Sequence, residues 1–264
     1  MTLLPLQRGM LYGPVNSRRL GKSLGINLMP GDYKLCSFNC VYCHYGWTKK
    51  HTVDFGKCRK DLPAFDDVVK AVEGAARSSM EFDFLTFSGN GEPTLYPQFA
   101  PLVEEVAGIR NTYRPEVKVV LLSNSTGLLH KEVRESISKI DVPVFKLDAG
   151  AENTFNVINR PAQGVNFTEL IDLLCAMKNI YIQTVLIEGT PSNVAREELA
   201  TYFGQIGRIK PKEVHIYSID RPVPNTRISL VPSERLAEIA IQGQKETGVS
   251  VRTFSLRSES RIRP

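Results

Sequence analysis

Cys36, Cys40 and Cys43 fall within eight residues, in the run Cys36-Ser37-Phe38-Asn39-Cys40-Val41-Tyr42-Cys43. Three residues separate the first pair of thiols and two the second. One short loop can therefore wrap three thiolates around a single metal centre and offer no fourth. Thiolates are soft ligands that select zinc or iron–sulfur clusters. Structural zinc asks for four ligands, usually as two spaced pairs. Beyond the triplet only Cys58 and Cys175 remain, and neither has a cysteine neighbour. His44 follows Cys43 directly, so the two side chains diverge. The odd cysteine count, and a start read as carrying no secretory signal, count against a disulfide framework. A four-iron cluster on three cysteines keeps one iron open for a ligand, which makes such a loop a centre for chemistry.

A loop of this kind needs a scaffold. The 264 residues suit one barrel-like α/β domain or two small ones, and 42% hydrophobic content is ample for one large core. Apolar runs and amphipathic stretches alternate along the chain. Strands are expected at 24–29, 82–87, 117–122, 142–147, 180–187 and 214–219, with a last one at 249–254. Helices are expected at 65–79, 97–109, 131–140, 167–178, 192–209 and 233–247, with Ser192 and Ser233 as caps. The strands are mostly continuous apolar runs, as in parallel strands covered on both faces. The fold class is therefore α/β with a parallel sheet.

No apolar run is long enough to span a bilayer, and a soluble, cytoplasmic protein is expected. The formal charge of +5 is too mild for a dedicated nucleic-acid binder. The basic residues do cluster. Arg18, Arg19 and Lys22 precede the cysteines; Lys49, Lys50, Lys57, Arg59 and Lys60 follow; Arg252, Arg257, Arg261 and Arg263 come last. They are read either as solvated loops with a frayed basic tail or as a receptor for an anionic substrate or an RNA backbone.

In parallel α/β folds, sites gather at the carboxyl ends of strands. Six polar runs fall there: the cysteine loop, 88–94, 123–126, 146–150, 188–190 and 218–222. Gly89-Asn90-Gly91-Glu92-Pro93 suits a close backbone approach by a ligand, because glycine carries no β-carbon. Ser123 and Asn124 can bond hydroxyls or form a turn of their own. Lys146 and Asp148, two apart, share a face of a strand. They either flank a ligand or form a buried ion pair that sets register. Gln183 and Asn193 are weaker candidates for the same chamber. His215 and Tyr217 alternate on a strand and are candidates to line it, with a structural role for His215 the commoner outcome.

The cysteine spacing, with Tyr42 before the third thiol, resembles the radical S-adenosylmethionine (SAM) superfamily. Further strings narrow the likeness: Tyr12-Gly13-Pro14-Val15-Asn16-Ser17-Arg18-Arg19-Leu20-Gly21, Ser23-Leu24-Gly25-Ile26-Asn27, Phe87-Ser88-Gly89, Gly91-Glu92-Pro93-Thr94 and Asp220-Arg221-Pro222. Together they resemble a short, wyosine-synthetase-like branch over roughly residues 10–225.

The resemblance implies a partial (β/α)6 barrel with N- and C-terminal extensions. It is expected as a single domain over residues 1–264, with a core of about 20–225 and an extension from about 226 to 264. It implies a [4Fe–4S] cluster on Cys36, Cys40 and Cys43. It implies SAM held by Tyr42 at the adenine, by Gly89, Asn90, Gly91 and Glu92 at the methionine ammonium, and by Ser123 and Asn124 at the ribose. Lys146 and Asp148 are expected beside SAM or substrate. The implied reaction is reductive cleavage of SAM to a 5′-deoxyadenosyl radical that takes a hydrogen from a substrate. A flavodoxin or ferredoxin is the implied electron donor. The substrate class stays open among nucleoside or RNA, anionic metabolite and peptide. A glycyl-radical activase, a peptide-modifying enzyme and a non-enzymatic iron–sulfur or metal-binding protein are the alternatives. Archaeal wyosine-forming enzymes carry extra cysteines upstream for a second cluster. No cysteine precedes Cys36 here, so the likeness is one of kinship and not of that reaction.

Overall fold

A computed structural model describes residues 2–254. The chain runs through β1 (Leu11–Ser17), β2 (Gly21–Ile26), β3 (Leu35–Cys36), β4 (Lys50–His51), α1 (Phe65–Arg77), β5 (Phe84–Phe87) and α2 (Phe99–Tyr113). It continues through β6 (Lys118–Ser123), α3 (Lys131–Ser136), β7 (Val142–Lys146), α4 (Glu152–Ile158), α5 (Phe167–Ala176) and β8 (Tyr181–Gly189). The last elements are α6 (Arg196–Ile209), β9 (Glu213–Ser218), β10 (Ile228–Leu230), α7 (Ser233–Thr247) and β11 (Val251–Thr253).

One sheet carries the fold, in the order β1-β2-β5-β6-β7-β8-β9-β11. Neighbours from β2 to β11 are parallel; β1 is antiparallel to β2, and β10 adds antiparallel to β8. The architecture is the partial α/β barrel, with β1 and β11 at its open edges. The central strands are buried along their length, β5 entirely so, which is why they read as unbroken apolar runs. Helices cover the outer face with one stripe each: Val68, Val72, Ala75 and Ala76 of α1, and Leu199, Tyr202, Phe203, Ile206 and Ile209 of α6. A separate cluster of Leu20, Phe84, Val120, Val142, Val144 and Tyr181 forms beside the main core, with Leu122 packed on it. No helix among the described residues is long and apolar enough to cross a membrane.

Several elements differ from expectation for identifiable reasons. The helix expected from residue 192 begins at Arg196, after an Ala195 cap. Asn193 holds the preceding turn out of the helix: its amide accepts from Ile187 N–H and donates to the carbonyls of Asp148 and Val185. It is a brace and does not line the chamber below. Ser233 is the first helical residue of α7, after Pro232, and makes no cap bond. The last strand, at 251–253, is a seventh parallel strand paired to β9 and so part of the sheet. Residues 255–264, with Arg257, Arg261 and Arg263, lie outside the described residues. Strand β1 and helix α4 had no expectation; β1 is half-exposed and interrupted by Gly13-Pro14.

Because the six core strands run the same way, the cysteine loop and the five other polar runs share one rim. Asn90 ties that rim to the N-terminal segment. Fully buried, it donates to the carbonyls of Gln7 and Pro30 at 2.7 and 2.8 Å and accepts from Gln7 N–H at 2.8 Å. Its carbonyl accepts from Leu35 N–H at 3.2 Å. Gly91 lets Leu35 come that close, since a β-carbon at 91 would fall on the Leu35 carbonyl oxygen. Asn90→Ala strands these buried groups and is expected to cost about 3 kcal/mol, read from urea unfolding. An unchanged midpoint would remove Asn90 from this structural role.

Candidate active site

A cavity of about 370 Å³ opens at the rim. It is lined by Cys36, Cys40 and Cys43 on one side and by Gly89, Gly91, Glu92, Ser123, Asn124 and Lys146 along the strand ends. Tyr42, Arg19, Lys34, Gln183 and Tyr217 complete the part that matters for chemistry. Cys58, buried in the turn Phe55–Asp61, and Cys175, on α5, do not line it.

The cysteine loop owes its path to distant backbone. Asn39 and Val41 N–H groups donate to the carbonyls of Asn159 and Ile158 at 2.9 Å each, and Ala162 N–H donates back to Ser37 at 2.8 Å. Donors then point at the sulfurs. Phe38 N–H lies 3.5 Å and Asn124 Nδ2 3.6 Å from Cys36 Sγ; Asn159 Nδ2 lies 3.5 Å from Cys40 Sγ. Burial pushes the Cys36 thiol up to about 12 and raises that of Cys40 as well, so a metal that binds here displaces protons. Lys34 stands beside all three. Burial works against its ammonium, but the charges of Cys43, Cys36 and Cys40 more than restore it. Among the described residues no three His, Cys, Asp or Glu side chains gather as a site for one ion. The donor set itself, three soft thiols with N–H groups and an ammonium around them, fits an iron–sulfur cluster.

Among the described residues, Glu92 is the only carboxylate in the cavity lining. Its Oε1 accepts from Thr94 N–H at 3.1 Å, Thr94 hydroxyl at 2.6 Å and Ser123 hydroxyl at 2.8 Å. Its Oε2 accepts from Asn124 N–H at 2.5 Å. Burial raises its pKa, and these donors oppose the rise. A carboxylate has about four acceptor positions, and Oε2 carries only one partner, so it can take a further cation.

Ser123 and Asn124 line the cavity with their polar atoms already engaged. Ser123 Oγ serves Glu92 and accepts from Ser125 N–H. Asn124 Oδ1 accepts twice from Thr126, and its Nδ2 donates to Ser37 Oγ at 2.9 Å. Asn90 faces away from the cavity, as described. Asp148 also lies behind the wall. Its Oδ2 accepts from Tyr42 hydroxyl and Asn159 Nδ2, and its Oδ1 from Val185 N–H at 2.8 Å. Lys146 Nζ is 3.9 Å from Asp148 Oδ2 and 5.2 Å from the Tyr42 ring centroid. Burial disfavours the Lys146 ammonium, but Asp148, Tyr217 and Cys40 hold its pKa above the usual value. Burial and Asp148 keep the Tyr42 hydroxyl protonated. Lys146 thus lines the cavity, and Asp148, behind the wall, pairs with it.

Tyr217 lines the cavity, whereas His215 is buried outside it against Glu213, 2.8 Å away, and the Phe254 ring. Two functional residues escaped sequence reasoning. Lys34 is two positions before Cys36 on an extended run, a spacing that puts both on one side. Asn159 follows a helix that was not foreseen and had no sequence signal.

A model of the radical SAM superfamily matches residues 32–201. A UPF0026 protein of Synechocystis sp. is 31% identical over 222 residues, 82% of this chain and 78% of that protein. A UPF0026 protein of Methanocaldococcus jannaschii is 34% identical over 179 residues, 67% of this chain. The chain spans 52% of that relative's length and 33% of another's. Among solved structures, TYW1 with a lysine–pyruvate adduct bound has a similar fold, with a TM-score of 0.60 at 14% identity over 92% of this chain and 83% of that one. The superfamily match over most of the chain and the Synechocystis relative together place this protein in the radical SAM superfamily of enzymes, within the UPF0026 family.

Proposed function

We propose that the rim cavity holds a [4Fe–4S] cluster on Cys36, Cys40 and Cys43 with SAM beside it, and that the protein is a radical enzyme acting on a substrate carried in the same cavity. One observation carries this reading: three thiols, two of them buried and the third half-buried, share a cavity with a glutamate whose Oε2 has an acceptor position to spare. When bound, the cluster supplies the electron that splits the SAM sulfonium into methionine and a 5′-deoxyadenosyl radical. The chain's own residues bind, orient and shield. Glu92 Oε2 takes the methionine ammonium. Lys146, kept cationic by Asp148, answers the methionine carboxylate. Gly89 and Gly91 line the cavity, and the places of their missing β-carbons are taken by Asn27 and the Leu35 carbonyl. Tyr42 is clamped by Asp148 and Asn159, so its ring is a fixed wall. Asn124 and Asn159 donate to the Cys36 and Cys40 sulfurs that would hold the cluster.

An external one-electron donor of the flavodoxin or ferredoxin class completes the scheme. We read residues 1–264 as a single domain in which the same cavity serves both cofactor and substrate.

Anaerobically reconstituted protein with SAM and dithionite is expected to form 5′-deoxyadenosine, and the Cys40→Ala variant to form none. A parent protein that is fully loaded with iron yet leaves SAM intact would overturn the proposal. Asp148→Asn removes the charge beside Lys146 and weakens the hold on Tyr42. It is expected to lose about 3 kcal/mol of stability in urea unfolding and about tenfold in SAM cleavage. Wild-type values in both measurements would show that Asp148 anchors neither residue.

A further inference from the structure

The cavity is lined by three cationic side chains, Arg19, Lys34 and Lys146, and one carboxylate, Glu92. Lys34 has the three thiols beside it. Lys146 has Asp148 at 3.9 Å. Arg19 has no carboxylate partner among the described residues. It comes from the turn between β1 and β2, outside the cysteine and glycine motifs, and reaches across to β8 and β9. Its Nη1 donates to Gln183 Oε1 at 2.6 Å. Its guanidinium carbon lies 5.0 Å from the Tyr217 ring centroid. Tyr217 hydroxyl donates to the same Gln183 oxygen at 3.5 Å.

This geometry fixes the guanidinium without neutralising it. Gln183 is a neutral acceptor, and the Tyr217 ring is a cation–π partner. A guanidinium has five N–H donors in a rigid fork that matches carboxylate and phosphate oxygens, and one of them is used here. Arg19 is half-buried, and no described residue sets a carboxylate against it. SAM brings one carboxylate, which Lys146 answers. The unspent guanidinium donors are left for an anionic group on the second molecule.

We propose that Arg19, oriented by Gln183 and Tyr217, is the receptor for an anionic group, a carboxylate or a phosphate, on the substrate. The inference rests on the reading of this cavity as the SAM-cleaving centre.

The test is calorimetric titration of the reconstituted, SAM-loaded enzyme with inorganic phosphate and, separately, with succinate. At least one anion is expected to bind. Phosphate alone points to a phosphorylated substrate and succinate alone to a carboxylic acid. Arg19→Gln is expected to weaken that binding at least about tenfold, and Arg19→Lys less, because the charge stays while the fork is lost. Gln183→Ala keeps the guanidinium but frees its orientation and is expected to weaken binding several-fold, which keeps the test valid if the Arg19 variants do not fold. Lys22→Gln, on the exposed pair with Glu81, is expected to change nothing. SAM binding without anion binding, equal binding by Arg19→Gln, or anion binding only when SAM is absent would each overturn the inference. Failure of the parent protein to bind SAM would sink the proposed function, and this inference with it.

Discussion

The Asp148 side chain is fully buried, with Lys146 as its ion-pair partner. A carboxylate in that position survives only if its oxygens are bonded and a cation is near. The partners come from four separate parts of the chain: three donors, Tyr42 in the cysteine loop, Asn159 after α4 and the Val185 backbone in β8, and the Lys146 cation at the end of β7. Satisfying one carboxylate therefore fixes the relative positions of the loop, two strands and a helix end. The wall of the cavity is a by-product of that requirement. Removing any donor leaves a buried charge short of partners, so each donor has little freedom to move.

Glu92 is the complementary case. It too is buried and held by donors from a neighbouring strand end, Ser123 and Asn124 of the β6 rim. Unlike Asp148, it lines the cavity, where its Oε2 has a single partner. Two buried carboxylates thus divide the work: one lies behind the wall and holds it, the other is held and faces the cavity. The same division runs through the asparagines. Asn90 and Asn193 spend every polar atom on backbone, whereas Asn124 and Asn159 turn a donor toward sulfur.

Much of this was legible in the sequence because it rests on local signals. Cys36, Cys40 and Cys43 announce themselves by chemical type and spacing. The central strands announce themselves as unbroken apolar runs, because both faces are covered. The carboxyl-end rule then puts six polar runs on one rim. What stayed hidden depends on partners distant in sequence. Gly91 looked like room for a ligand, yet its missing β-carbon is occupied by the Leu35 carbonyl. Ser123 and Asn124 looked like hydroxyl binders, yet their side chains build the Glu92 site and the thiol site. Arg19 looked like one of a basic cluster ahead of the cysteines; only the fold carries it across to Gln183 and Tyr217. The half-exposed β1 has too weak a pattern to read, since an edge strand buries little.

The cysteine loop also has an order of assembly written into it. Its thiols come early in the chain, but the groups that shape their pocket come late: Asn124, then the Ile158 and Asn159 carbonyls, then the Ala162 amide. A growing chain folds from its N-terminus as residues emerge. When Cys43 leaves the ribosome, the segment that seats its loop has not been made. More than a hundred further residues must be synthesised before the pocket closes around the three sulfurs. A cluster on these thiols would therefore be added late, to a folded scaffold, because iron offered to the nascent chain would meet three thiols with nothing to hold them in place.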